Sequence, residues 1–454
     1  MKSLMFELRL VLHSRLALGA VALLLALSAL SVWSGMQAVS HQHEALARLT
    51  DSHRSETAAL AAKYAGGAEA GSVAYYTPHL TTNPPSSLAF AAFGQRDLQP
   101  AALRVRLLGL QSQLYESESI NPELAMAGRF DFAFVLVYLA PLFVIALVHD
   151  LATSEREAGR LRLLSSLPVP GARVWRRRLG LRLALVWLAL LLPLAVGVAL
   201  SSAGMPALGQ LALVATLYLV FWFGLAAWVA GRARSSAGSA AILLACLVGL
   251  TMIVPTALDA AIARAVPVSK GVEIALAQRQ EVHQGWDLPR EVTLAKFARS
   301  HPEWRDTAPV IGRFHWKWYY AMHQAGDEAV APQVAQYRAS LAAREDWTAR
   351  AGLLLASVNA QVLLHRLAGT DLHAQLGYQQ GIADYHTRLR HYFYPFFFHE
   401  RTFTAADFAR MPAWVHAPAP ASLPPASLAA LALLALGAAV LGLRRIERST
   451  DSPT

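Results

Sequence analysis

Six apolar runs, 16–34, 131–149, 183–201, 208–230, 237–258 and 426–443, constrain this 454-residue chain more than any other feature. A helix rises 1.5 Å per residue, so about 20 apolar residues cross a hydrocarbon core of about 30 Å. The sequence therefore predicts an all-α polytopic membrane protein with six transmembrane helices. Composition agrees, with 55% hydrophobic and only 15% charged residues, against roughly 25% charged in an average soluble domain.

The basic residues next to these runs orient them. Lys2, Arg9 and Arg15 precede the first; Arg156, Arg160, Arg162, Arg173, Arg176, Arg177, Arg178 and Arg182 lie between the second and third. Arg232 and Arg234 separate the fourth and fifth, and Arg444, Arg445 and Arg448 follow the sixth. All four sets fall on one side if every run spans, which is the positive-inside pattern. It predicts a bacterial inner-membrane protein whose segments 1–15, 150–182, 231–236 and 444–454 are cytoplasmic. Residues 35–130 and 259–425 are then two periplasmic domains. The net charge of +10 belongs to this pattern and to membrane lipids, so no nucleic-acid partner is predicted. The single Cys246 lies inside an apolar run and leaves no pair for an intramolecular disulfide.

A cleaved signal peptide ending near Ala38-Val39-Ser40 competes with a first span. The apolar stretch exceeds the 7–15 residues of a signal core, and the run 37–64, free of Pro and Gly, reads as the same helix continuing. Cleavage would leave five spans and the same outer domains. Both domains read as mainly helical. After Gly66-Gly67, the four prolines between Tyr75 and Asn121 mark an irregular segment. The second domain shows helical pattern over 274–282, 291–299, 329–366 and 373–393. Its aromatic run from His391 to Phe398 suits either the membrane surface or a domain core.

The segment after the second span carries the functional signal: Ser154-Glu155-Arg156-Glu157-Ala158-Gly159-Arg160-Leu161, then Leu164 and Pro168. Ser154 is a candidate cap for a short amphipathic helix with Glu155 and Glu157 in its first turn, stopped by Pro168. A connector held at anionic headgroups by its arginines is the plain alternative. The order Glu-Arg-Glu-x-Gly, then Leu-x-Leu-Leu-x-x-x-Pro-Val, resembles the cytoplasmic coupling helix of permease subunits of the second (ABC-2-like) type of ABC exporter. Asn83-Pro84-Pro85, Gly94-Gln95-Arg96-Asp97-Leu98, Asn121-Pro122, Gly128-Arg129-Phe130-Asp131 and Leu367-Ala368-Gly369-Thr370-Asp371 are similar to landmarks of a subfamily with two large periplasmic loops and a domain of unknown function.

The resemblance implies a permease that couples ATP hydrolysis in a separate ABC ATPase subunit to export. A second permease chain, identical or related, would complete the complex. Glu155, Arg156, Glu157 and Gly159 would meet the ATPase, while Leu161, Leu164 and Pro168 would pass its motion to the spans. The family usually continues Gly-Thr-Leu where this chain has Gly159-Arg160-Leu161.

No Gly-x-x-x-x-Gly-Lys-Ser/Thr loop occurs, so ATP and Mg are expected in the partner and no cofactor in this chain. All but two of the 16 histidines fall in the outer domains. Neither His43-Glu44 nor His399-Glu400 is followed by a second His at the helical interval, so neither a metal site nor a metalloprotease is expected. No Gly-x-Ser-x-Gly elbow points to a hydrolase, and an enzyme is not expected. Few ionisable residues interrupt the runs, which argues against an ion-coupled carrier. The rival reading is an ATP-driven complex that transmits force to a periplasmic or outer-membrane partner without moving a substrate.

Overall fold

The computed structural model describes residues 2–115, 129–160, 171–418 and 421–451. Among them, six helices are long and apolar enough to cross a membrane, and the chain is an all-α polytopic membrane protein.

Helix α1 (Lys2–His13) precedes α2 (Arg15–Lys63), one unbroken helix of 49 residues that Ser14 caps through its side chain. Its first half is the apolar run and its second half the polar run, joined because no Pro or Gly pair interrupts them. The first extramembrane region then holds β1 (Ala68–Glu69), α3 (Ala70–Tyr76), β2 (His79–Thr82), β3 (Ala102–Val105) and α4 (Leu110–Tyr115). The second spanning helix, α5 (Phe132–Glu157), contains a π turn at Val135–Leu139. Three more follow: α6 (Gly171–Leu200), α7 (Gly204–Ala230) and α8 (Ser236–Ala265).

The second extramembrane region is a helical array: α9 (Gly271–Gly285), α10 (Arg290–Ser300), α11 (Trp316–Ala329), α12 (Ala331–Gly352), α13 (Ala356–Ala368) and α14 (Leu372–Phe398). It closes with β4 (Thr402–Phe403) and α15 (Ala405–Arg410), and α16 (Pro425–Asp451) is the last spanning helix.

Two results depart from the sequence reading. The predicted helix 329–366 is broken at 353–355, and α13 folds back on α12. Gly352 lies against Asn359, so close that an added Cβ would stand 3.3 Å from its Cα, an approach that a larger residue would push apart. Helix α14 also runs past its predicted end at 393 through Pro395. The carbonyl that loses its partner there belongs to His391, an exposed position, so the loss costs little.

The two extramembrane regions share their cores. Strands β1 and β4 pair antiparallel, with Ala68 opposite Phe403, and β2 pairs with β3. Ala70, Val73 and Leu107 of the first region pack with Phe297, Tyr320, Phe393 and Phe397 of the second. The aromatic run of α14 is therefore domain core: Phe393, Tyr394, Phe396, Phe397 and Phe398 are all buried. Its rings stack, Tyr320 on Phe397 at 4.3 Å and Phe393 on Phe403 at 5.2 Å between centroids.

Three histidines in this core are held neutral. Burial pushes His79 down to about 3, helped by His53, and His323 down to about 3, helped by the Arg390 guanidinium. Burial and Arg390 also drive His386 well below the usual range. Above pH 7 they are neutral folded or unfolded, and stability is unaffected. Below about 6.5 the unfolded chain takes up protons that the folded chain refuses, so stability falls as pH falls, until the folded values are reached. Going from pH 7.5 to 6 should cost about 2 kcal/mol for the three together. Denaturant melts of the reconstituted chain at both pH values check this, and His323→Asn should remove about a third of the dependence.

Candidate functional site

The residues singled out at 155–159 lie at the end of α5. The chain bends at His149–Ala152, but hydrogen bonds Ser154 N to Asp150 O (2.9 Å) and Arg156 N to Ala152 O (3.2 Å) carry the ladder across. A short helical turn, Thr153–Glu157, does start there with Glu155 in its first turn, but it follows Ala152 and no side chain caps it, which corrects the expectation that Ser154 is the cap. Glu155 and Glu157 lie in that turn, which ends the stretch Phe132–Glu157. Gly159 ends it with φ +69°. Space around Gly159 is open, so its backbone conformation is what calls for glycine there. Leu161, Leu164 and Pro168 lie outside the described residues.

Each acidic and basic side chain of the motif is tied to a different element. Glu155 accepts from Arg160 Nε (2.7 Å) and from Arg178 Nη1 of α6 (2.9 Å). Arg178 also reaches Glu7 of α1 at 3.3 Å, and the side chains of Arg178 and Glu155 are only 14% and 15% exposed. Arg156 Nη1 donates to the carbonyl of Ala233, between α7 and α8, at 2.6 Å. Glu157 accepts from Ser236 N (2.9 Å) and Ser236 Oγ (3.0 Å), placing a carboxylate at the N-terminus of α8, where the helix dipole favours negative charge. Thr153 Oγ1 lies 3.0 Å from the same Ser236 hydroxyl. Two residues before Arg178 on α6, Arg176 pairs with Glu447 of α16 at 2.9 Å.

The motif is thus a junction of α1, α5, α6 and the α7–α8 connection. What it presents outward is Glu157, Ala158, Gly159 and Arg160, all exposed. Sequence reasoning missed Glu7, Arg178 and Ser236. Arg178 was visible only as one of a run of arginines flanking a span.

The other motifs meet at the opposite end of α5. Asp131 accepts from Phe93 N and Phe134 N, both at 2.8 Å, and so caps the helix and fastens the preceding loop to it. Arg129 pairs with Asp97, Arg96 donates to Gln42 (3.0 Å) and to the Asn83 carbonyl, and Gln95 N donates to the Thr370 carbonyl (2.9 Å). Thr370 Oγ1 donates to the carbonyl of Ala92 at 2.8 Å. Gly94, at φ +51°, passes so near Thr370 that a Cβ would stand 2.6 Å from its carbonyl oxygen. Segments scattered from Asn83 to Asp371 are therefore one knot. Asn121, Pro122 and Gly128 lie outside the described residues.

Among the described residues, Glu345, Asp371 and His373 bring ligand atoms within 4.8 Å of one another. Asp371 there is engaged as the cap of α14, bonded to Ala374 N at 3.1 Å, and has Arg366 3.8 Å away.

Residues 272–417, from α9 past α15, match a family model described as a domain of unknown function (DUF3526). No curated protein matches the chain, and no solved structure does. The class of protein defined so far is an all-α, multi-pass membrane protein with such a domain between its last two spanning helices.

Proposed function

We propose that this chain is the permease subunit of an ATP-driven ABC exporter of the bacterial inner membrane, with both termini cytoplasmic and the two extramembrane regions periplasmic. It works as one of two permease chains with a separate ATPase subunit that binds ATP and Mg. The observation that carries the reading is the junction at Glu155. An exposed corner, 157–160, is joined by charge-assisted hydrogen bonds to four elements, so a push on it moves several helices together. Glu155 and Arg156 are positioning residues in this scheme, and Glu157, Gly159 and Arg160 meet the ATPase. Arg160 stands where related permeases carry Thr, and its bond to Glu155 keeps it part of the junction.

Affinity purification of the tagged chain in mild detergent tests the assignment. A Walker-motif ATPase at about one per chain is the expected companion, and its reproducible absence refutes the reading. The double variant Glu155→Ala, Glu157→Ala should insert normally but bind or stimulate the ATPase at least about tenfold less well, since it loses charge-assisted bonds of about 1.5–3 kcal/mol each. Unchanged stimulation would remove the docking role.

One observation favours a second reading, force transmission without substrate passage: α2 runs unbroken from the first span into the extramembrane region, where Gln42 and Glu56 bond to Arg96 and Arg104. ATP-dependent capture of a periplasmic partner, with no transport in reconstituted vesicles, would select it.

A further inference from the structure

A narrow groove of about 190 Å³ lies between the spanning helices α6, α7 and α16, and of the residues that line it only Arg176 is polar. Leu179 and Leu183 of α6, Val220 and Phe223 of α7 and Leu443 of α16 supply its apolar surface. Two glycines leave the hollow. Gly180 is exposed, with nothing within 4 Å of an added Cβ, so the groove is open there. At Gly224 a Cβ would collide with the backbone of Ala438 and Ala439, so α7 and α16 touch without a side chain between them. Val220 and Ala227 bound the groove along α7, a rise of about 10 Å.

On α7 and α16 the groove stays within the apolar runs 208–230 and 426–443. On α6 it continues past the start of the run at 183 to Arg176, a further rise of about 10 Å that carries it from hydrocarbon into the headgroup layer. Its mouth there is basic. Arg173, three residues before Arg176 and so on the same helix face, is exposed, and Arg444 and Arg448 are exposed just beyond Leu443. Glu447 faces these four arginines. It pairs with Arg176 at 2.9 Å yet leaves that side chain 65% exposed, so the mouth keeps a net positive charge.

We propose that the groove seats one acyl chain of an anionic phospholipid whose phosphate is held by Arg173 and Arg176. A hydrocarbon tail suits a hollow with no polar atom to satisfy, and a helix of about 10–12 Å diameter is too wide for it. Guanidinium groups match phosphate oxygens in pairs, and a basic mouth at the membrane surface draws anionic headgroups. A second copy packed here across a two-fold axis would set the two arginine clusters against each other, and like charges repel. The inference rests only on α6, α7 and α16 crossing the membrane, and it stands whatever the complex does.

Native mass spectrometry of the full-length chain in mild detergent, titrated with phosphatidylglycerol or with phosphatidylcholine of the same acyl chains, tests it. One phosphatidylglycerol per chain should be held about tenfold more tightly than phosphatidylcholine, the worth of a charge-assisted contact. Arg173→Gln with Arg176→Gln should erase that preference. Gly180→Leu, which fills the hollow, should remove the tight site with every arginine in place. These positions are exposed, so both variants should keep the wild-type size-exclusion profile. Equal retention of the two lipids by the wild-type chain, or an unchanged preference in either variant, overturns the proposal. So does disulfide crosslinking of two copies at Gly180→Cys in the Cys246→Ala chain, which would put protein in the groove.

Discussion

Asp327→Ala should unlock the second extramembrane region, costing about 3–5 kcal/mol of its stability. Asp327 of α11 and Arg390 of α14 pair at 2.6 Å with side chains only 8% and 9% exposed. The carboxylate also accepts from Leu110 N (2.8 Å) and Gln111 N (3.2 Å), so it caps α4 of the first region. Arg390 in turn donates to Gln324 and to the Leu108 carbonyl. Removing the acid strands a buried guanidinium, the buried N–H of Leu110 and the part-buried N–H of Gln111 at once, and the stranded charge dominates the cost. Asp327→Asn, which keeps an acceptor but not the charge, should fall between. Glu44→Ala breaks a pair at 4.0 Å whose side chains are 74% and 57% exposed, and should change nothing measurable. Thermal melts with near-ultraviolet circular dichroism, which reports the aromatic core around α14, read all three. An Asp327→Ala melt indistinguishable from wild type would mean that the pair does not hold the two regions together.

That lock was not legible in the sequence. Asp327 sits in the last turn of α11 without any motif, and its partners lie far away in the chain. The six spanning helices were legible because about 20 apolar residues with few charges have one outcome in lipid. The unbroken α2 was legible because helix-favouring residues continue through the membrane boundary. The break at 353–355 was hidden. Alanine and leucine favour helix on both sides of it, and only the approach of Asn359 to Gly352 turns the chain. The motif at 155–159 was found from residue order, yet the fit of Glu155 to Arg178 and of Glu157 to Ser236 depends on how α5, α6 and α8 pack. A helix start beside Ser154 was legible, but not that Arg156 N is already bonded to Ala152 O, which leaves Ser154 without a capping role.

Gly442→Leu should abolish the folded chain, because α7 and α16 touch backbone to backbone. A Cβ built on Gly442 collides with the carbonyl oxygen of Gly224, and one built on Gly224 collides with the backbone at Ala438. Two turns on from Gly224, at the end of α7, a Cβ at Gly231 would lie 3.0 Å from the Cα of buried Ile446. Lipid offers no hydrophobic gain for bringing two apolar helices together, so close packing of small residues must hold them. A leucine at 442 would force the axes apart and forfeit dispersion contacts along the whole crossing, since these decay steeply with a small gap. Even Gly442→Ala should cost about 1–3 kcal/mol by overpacking. Gly437, on the same helix, has nothing within 4 Å of its added Cβ, and Gly437→Ala should be neutral or slightly stabilising through helix propensity. The effect should reach the motif junction, because Glu447, just beyond the crossing, holds Arg176 on the helix that carries Arg178. Size-exclusion profiles and melting of the three variants in detergent decide it: a monodisperse Gly442→Leu chain that melts with Gly437→Ala would show that α7 and α16 do not cross at these glycines.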